Sequence, residues 1–272
     1  MIKDKKFLLI LILICFSCIF VFYIFPFISS FISVFVSGTD KNGIKINIDK
    51  IITVIKNEAF LSALKNTVIF TGIAVIVINV FSFAVALILK AIVKRTVYLY
   101  ITAIPLAIPV IVTTPVWKVI SDSVSVNMIY GNQALISIIV LLLWKYLGFH
   151  VLIYLSGINS VPKSQTEAAS LDGAGALRRV FYIIIPEIIS FFITNIIFSI
   201  IHSFRIFREI YLLFGNYPPK NVYLIQHYIQ NNFNSLNYDN ALSAAYIFFI
   251  IIFIVLTPLL NKEKKEENHY GA

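Results

Sequence analysis

Charge is scarce in this sequence. Asp, Glu, Lys and Arg make up 13% of its 272 residues, against about a quarter in ordinary soluble domains. Cysteine is scarcer still: Cys15 and Cys18 stand in a C-x2-C spacing with no second pair or histidine near them in sequence, which excludes a tetrahedral metal site there and leaves them as buried apolar fillers. No G-x4-G-K-[ST] run is present to cradle phosphate, so the chain is not expected to hydrolyse ATP itself. H-E-x-x-H is missing too, and no serine or histidine constellation stands at a matching depth, which argues against an intramembrane enzyme. There is no internal repeat and no second soluble domain.

What the chain has instead is apolar length. Hydrophobic residues reach 59% and the mean hydropathy is +0.90. Six stretches are long enough to cross a hydrocarbon core of roughly 30 Å as helices of about 20 residues: 7–36, 67–89, 97–120, 134–155, 181–201 and 241–260. They run continuously in Ile, Leu, Val and Phe without the alternation of a barrel strand, and in lipid only a helix pairs such a backbone internally. The expectation is an all-α polytopic membrane protein. The first stretch follows Lys3, Lys5 and Lys6 but is too long, and lacks the small-residue cleavage pattern, for a signal peptide.

Lysine and arginine set the orientation. With the N-terminus in the cytoplasm, twelve basic residues fall on the inner side (Lys3, Lys5, Lys6, Lys90, Lys94, Arg95, Lys163, Arg178, Arg179, Lys262, Lys264, Lys265) and eight on the outer, mostly in its two longest connections. Both termini are then cytoplasmic, as expected for a bacterial plasma-membrane protein. The net charge of +9 reads as topology rather than as a nucleic-acid surface.

One inner connection is unusual: "SVPKSQTEAASLDGAGALRRVFYIIIP", Ser160 to Pro186, a small-residue charged island between two apolar runs. Pro162 ends the preceding segment, and Ser164 with Glu167 is spaced as a capping box. Ala168 and Ala169 favour helix with little bulk, Gly173 and Gly175 permit a positive φ or close approach, and Pro186 predicts a kink. A plain interfacial linker has no need of a low-profile helix; a helix that seats in a groove on another protein does.

Glu167, Ala168, Ala169, Asp172, Gly173, Ile183, Ile185 and Pro186 resemble the EAA signature of permease subunits from binding-protein-dependent ABC importers, in the form of the maltose and glycerol-3-phosphate type, with isoleucine replacing the usual leucine before the proline. "SALKNTVIFT", "AIPLAIPVIV", "WKYLGFHVLIYLSGINSVP" and "SFRIFREIYLL" are similar in the same order, so the resemblance covers nearly all of the chain after residue 59. It implies the six-helix type I importer permease fold, a second homologous permease subunit, a cytoplasmic ATPase dimer using ATP and Mg, an extracytoplasmic solute-binding protein, and a carbohydrate solute. Glu167, Ala168, Ala169, Asp172, Gly173 and Pro186 would couple to the ATPase. The implied organisation is 1–59 as cytoplasmic tip, first span and outer loop, 60–260 as transport core with its coupling helix at 163–175, and 261–272 as charged cytoplasmic tail. Two outer connections depart from relatives: 121–133 is short, and "LLFGNYPPKN" replaces a multi-glycine turn.

Polar residues in or near the spans are the pathway candidates: Asn79, Thr113, Thr114, Lys118, Lys145, Asn195, His202 and Arg205. Lys145, midway along the fourth span, either lines the pathway, snorkels, or pairs with an acid on the partner permease. His202 reads as a packing or gating residue rather than a metal ligand. Lys118, Lys145, Arg205 and Arg208 together would favour an anionic or strongly hydroxylated solute. Outside, 47–67 has helical apolar spacing suited to the membrane surface, and 221–240 suits a short helix or scoop. The hydrophilic tail "NKEKKEENHYGA" reads as disordered. A membrane scaffold would have the spans without an ATPase-binding island; an ion-gradient transporter would favour inverted repeats and midplane acids.

Overall fold

The computed structural model describes residues 5–40, 43–46, 48–92, 95–123 and 131–270. Among the described residues, five helices are long and apolar enough to cross a membrane, and a sixth crossing exists only as a bent pair. In chain order the helices of seven residues or more are α1 (Leu8–Phe35), α2 (Asp49–Ile55), α3 (Glu58–Ala91), α4 (Arg95–Ala107), α5 (Val110–Ser123), α6 (Ala134–Ser160), α7 (Lys163–Leu171), α8 (Ile189–Arg205), α9 (Phe207–Phe214), α10 (Ile225–Asn234) and α11 (Tyr238–Tyr270). Strands β1 (Val36–Asp40) and β2 (Gly43–Ile46) pair antiparallel, with Thr39 opposite Ile44, and form a hairpin that an all-α reading does not anticipate.

Prolines shape the helices. The span expected over 97–120 is broken: Val97–Ala107 and Val110–Ser123 meet at 102°. Pro109 has no N–H to continue the ladder and its ring disfavours helical backbone at Ile108, so α4 stops and α5 starts again with Val112 N–H on the Pro109 carbonyl at 3.0 Å. A milder device occurs twice. Five-residue π turns at Phe20–Ile24 and Val180–Ile184 stand just ahead of Pro26 and Pro186, widening the ladder where the proline would leave a carbonyl unpaired. After Pro186 the helix breaks at Ile188 (φ −105°, ψ 23°), so the helix expected over 181–201 begins at Ile189.

The chain divides into two compact units, 1–61 with 228–250, and 62–227 with 251–272. In the first, an aromatic cluster of Phe27, Phe31, Phe35, Tyr246 and Phe249 holds α1 to α11, and the Tyr246 hydroxyl donates to the Phe27 carbonyl at 2.7 Å. Lys50 on α2 bridges to Asp239 at 2.8 Å. Cys15 and Cys18, expected to be buried, are exposed on α1, whose most apolar stretch holds no buried residue. The expected outer surface helix is split: α2 ends at Ile55, and Asn57 Oδ1 accepts from the Ala59 N–H at 2.9 Å as α3 begins.

The second unit is centred on α6, which carries more buried residues than any other helix described. Gly148 lets α4 lie directly on it: a Cβ there would stand 2.3 Å from the Thr102 carbonyl oxygen and 2.6 Å from the Ala103 nitrogen. At Gly157 a Cβ would meet the Phe191 ring at 2.7 Å. Phe70, Ala74 and Ile78 of α3, Ile138, Leu141 and Leu142 of α6, and Ile206 and Ile210 complete one core cluster. The expected outer helix within 221–240 is α10, and Thr67 Oγ1 accepts the Ile225 N–H at 2.9 Å. The tail expected to be disordered is instead the end of α11, helical to Tyr270, where Lys262 and Glu266 stand one turn apart and Glu263 accepts from Thr194 of α8 at 2.5 Å.

Candidate functional site

Two features of the second unit carry chemistry: a polar layer inside the helix bundle and an exposed short helix outside it. The polar layer begins at Asn79, whose Oδ1 accepts from the Tyr154 hydroxyl at 2.6 Å and whose Nδ2 donates to Ser199 Oγ at 3.1 Å. Asn195, fully buried, receives the His150 Nδ1 proton on Oδ1 at 2.5 Å and donates Nδ2 to the His150 carbonyl at 3.1 Å. That leaves His150 Nε2 to accept from His202 Nδ1, 3.0 Å away. Tyr146 stacks on His202 with ring centroids 4.0 Å apart, and Phe149 meets the same imidazole edge-on at 5.0 Å. Three helices are thereby joined by hydrogen bonds that an apolar core would not specify. Asn79, Asn195 and His202 were legible as candidates; His150 and Tyr154 were not singled out, because an isolated His or Tyr in an apolar run signals nothing until its partner across the bundle is known.

Beside this layer, Lys145 of α6 pairs with Glu209 of α9, and their side chains are only 5% and 1% exposed. Lys145 therefore neither snorkels nor needs an acid from another subunit. Glu209, missed from the sequence, is the one acid in "SFRIFREIYLLF", and its presence in that apolar helix was the available signal. Its second oxygen, Oε2, is buried and has no hydrogen-bond partner among the described residues.

The pair lies in the wall of a cavity of about 340 Å³ formed at the α4–α5 break by Leu106–Val110, with Lys145, Tyr146, Arg205, Arg208 and Glu209. Arg205 and Arg208, one turn apart, are exposed. Thr113 and Thr114 are buried, but their hydroxyls bond back to the carbonyls of Pro109 and Val110 at 3.1 and 3.2 Å, and Lys118 is exposed on α5 away from the cavity wall. The structure thus gathers Lys145 and Arg205 in one cavity, and Asn79, Asn195 and His202 in the adjoining polar layer. No group of three metal-ligating side chains occurs among the described residues.

The exposed feature is α7. None of its residues is buried, and Leu171, its last residue, is 90% exposed, with Leu177 at 75%. The capping box expected of Ser164 and Glu167 does not form. Pro162 is the N-cap, its carbonyl accepting the Gln165 N–H at 3.2 Å, and Ser164 stands inside the first turn. The other end is a complete Schellman closure: Gly173, at φ +80°, donates to the Ser170 carbonyl at 3.1 Å, and Ala174 donates to that of Ala169 at 2.9 Å. Gly175 has ordinary backbone (φ −63°) with open space around it, so only Gly173 needs to be glycine. Arg179 reaches back to Ser170 Oγ at 3.2 Å and fixes the turn against the helix.

A bundle of apolar helices with a polar cavity at a broken helix and a bare, small-residue helix between two long apolar helices defines a membrane transport subunit. Residues 93–262 match the family described as the binding-protein-dependent transport system inner membrane component, and the chain belongs to that family. It is 26% identical over 242 residues to the sn-glycerol-3-phosphate transport system permease protein UgpA of Agrobacterium fabrum, covering 80% of each chain. It is 25% identical over 271 residues to the arabinooligosaccharides transport system permease protein AraP of Bacillus subtilis, covering 91% of this chain and 86% of that one. Among solved structures, the fold matches a chain of a bacterial ABC transporter involved in the import of the acidic polysaccharide alginate, with a TM-score of 0.81 over 97% of both chains at 20% identity.

Proposed function

We propose that this chain is the membrane-spanning permease subunit of an ATP-driven, binding-protein-dependent importer, and that its solute is a sugar, an oligosaccharide or a sugar derivative. The observation that carries the reading is α7: a helix with no buried residue, closed by Gly173 and followed by an exposed Leu171–Leu177 surface, placed between two long apolar helices. Leu171 and Leu177, 90% and 75% exposed, add two large apolar side chains to this surface for another protein to cover. The partner is a cytoplasmic ATPase dimer, which binds ATP and Mg. Glu167, Ala168, Ala169, Asp172 and Gly173 form the contact, and Pro186, at the end of the π turn, transmits its movement to α8. The names of relatives such as UgpA and AraP support a carbohydrate solute, and a solved neighbour complexed with a periplasmic binding protein supports delivery by such a protein.

In this reading, residues 60–260 form the transport core with the coupling helix at 163–175, flanked by 1–59 and 261–272. A second, homologous permease completes the pathway, and both termini face the cytoplasm. Closure of the ATPase dimer would rotate the two permease halves between inward- and outward-facing states, a rigid-body switch driven through one discrete contact. Asn79, Asn195, His202, Lys145 and Arg205 line or brace the solute route. Gentle affinity purification from the native membrane, with companions identified by mass spectrometry, tests the assembly. Recovery of a second permease, an ATPase and a binding protein is expected; the chain alone, folded and reproducible, would overturn the importer reading.

A further inference from the structure

The cavity at the α4–α5 break has a charge balance that a neutral sugar does not match. Its single acid, Glu209, is engaged with Lys145, so that pair is neutral by itself. Arg205 and Arg208 remain, and among the described residues neither has a carboxylate within ion-pairing distance. Two guanidiniums on the wall of this polar cavity attract an anion, and their planar forks suit the paired oxygens of a carboxylate or phosphate. Meanwhile Glu209 Oε2, in a side chain 1% exposed, has no donor among the described residues. A buried carboxylate oxygen left bare is costly, and a hydroxyl offered from within the cavity would satisfy it.

We propose that this cavity is a subsite for an anionic sugar unit. Arg205 and Arg208 take its carboxylate or phosphate, Glu209 Oε2 accepts one of its hydroxyls, and Lys145 holds the Glu209 carboxylate in place as a positioning residue. The proposal rests on the permease reading and narrows its solute class. It selects for a group bearing negative charge and hydroxyls together, and against amino sugars, which the arginines would repel. A volume of about 340 Å³ accommodates a monosaccharide residue, so a longer solute would be read one unit at a time.

The test uses the importer complex purified from its native membrane without its binding protein, so that recognition by that protein does not enter. Digalacturonate, glycerol 3-phosphate and the neutral disaccharide galactobiose are titrated calorimetrically. At least one anionic probe is expected to bind ten-fold or more tightly than galactobiose and to weaken as salt is raised. Arg205→Gln with Arg208→Gln should cost that probe ten-fold and leave galactobiose unchanged, while Arg205→Lys with Arg208→Lys recovers part of the loss. Which anion binds separates the carboxylate source from the phosphate source. Both arginines are exposed, so the variants should fold; size-exclusion elution at the native position checks it. Equal affinity for galactobiose and both anions, an equal loss for every probe in the glutamine variant, or no binding by any probe overturns the subsite. ATP-dependent uptake by native membrane vesicles is read separately: its absence alongside arginine-dependent anion binding would overturn the permease reading and not the subsite.

Discussion

Lys145 and Glu209, 64 positions apart in sequence, meet as a buried ion pair between α6 and α9. Removing one partner leaves the other charge bare, at a cost of about 3–5 kcal/mol, whereas replacing both with apolar groups of similar volume is often neutral. Lys145→Met or Glu209→Leu alone should therefore lower the thermal midpoint of the purified complex sharply, and the double variant should recover most of it. Lys145→Ala should also change solute-dependent uptake, since the pair forms the cavity wall. An additive double variant would mean that the two residues act independently.

At α7, Glu167→Lys and Gly173→Asp should leave the subunit in the membrane while uncoupling solute uptake from ATP hydrolysis. For Gly173 the cause is backbone strain: at φ +80° a side chain costs about 1–2 kcal/mol, even though a Cβ would meet no atom within 4 Å. Comparing ATPase rate with uptake in proteoliposomes checks both, and fully coupled uptake would remove the docking role.

Gly148→Ala should be the most damaging glycine substitution in the bundle. The added methyl would stand 2.3 Å from a backbone oxygen of α4, and that backbone can only move as a helix. Gly157→Ala meets the root of the Phe191 side chain, at 2.7 Å from Cγ, rather than backbone at 2.3 Å, so its loss should be smaller but still substantial. Fluorescence-detected size exclusion after heating would rank the two; the reverse order would contradict the close approach of α4 to α6.

His227, at the start of α10, is fully buried between Phe207 and Tyr223, and its Nδ1 accepts the Leu224 N–H at 3.1 Å. Burial lowers its pKa from 6.5 to about 4. Between those values the unfolded chain binds a proton that the folded chain refuses, so stability present above pH 6.5 should fall as the pH drops toward 4. The effect approaches about 3 kcal/mol at the acid end. Melting curves from pH 7.5 to 4.5 should show a shallower acid loss in His227→Gln than in the native chain; identical slopes would place the titrating group elsewhere.

Much of the site was legible one residue at a time. Lys145 announced itself as a charge in an apolar run, and Asn79, Asn195 and His202 as polar groups at similar depth. Their partners were not legible, because Glu209, His150 and Tyr154 gain meaning only from contacts 45 to 75 positions away. The island from Ser160 to Pro186 was read as a helix interrupted by Gly173 and Gly175, of which only Gly173 takes a positive φ, and its start was misread, where Ser164 competed with the stronger stop imposed by Pro162.

The sequence alone determined that the chain consists of apolar membrane-spanning helices, since hydrophobic length and the demand that every backbone group in lipid be paired admit little else. It also placed the exposed small-residue helix, because propensity and glycine conformation act within a few residues. Pro109 stops α4 locally, but only the tertiary structure decided the 102° at which α4 and α5 meet, that Lys145 has its counter-ion in the same chain, and that a cavity opens at the break. Those depend on which faces of distant helices meet, and packing energy is a property of the assembled bundle rather than of any local stretch.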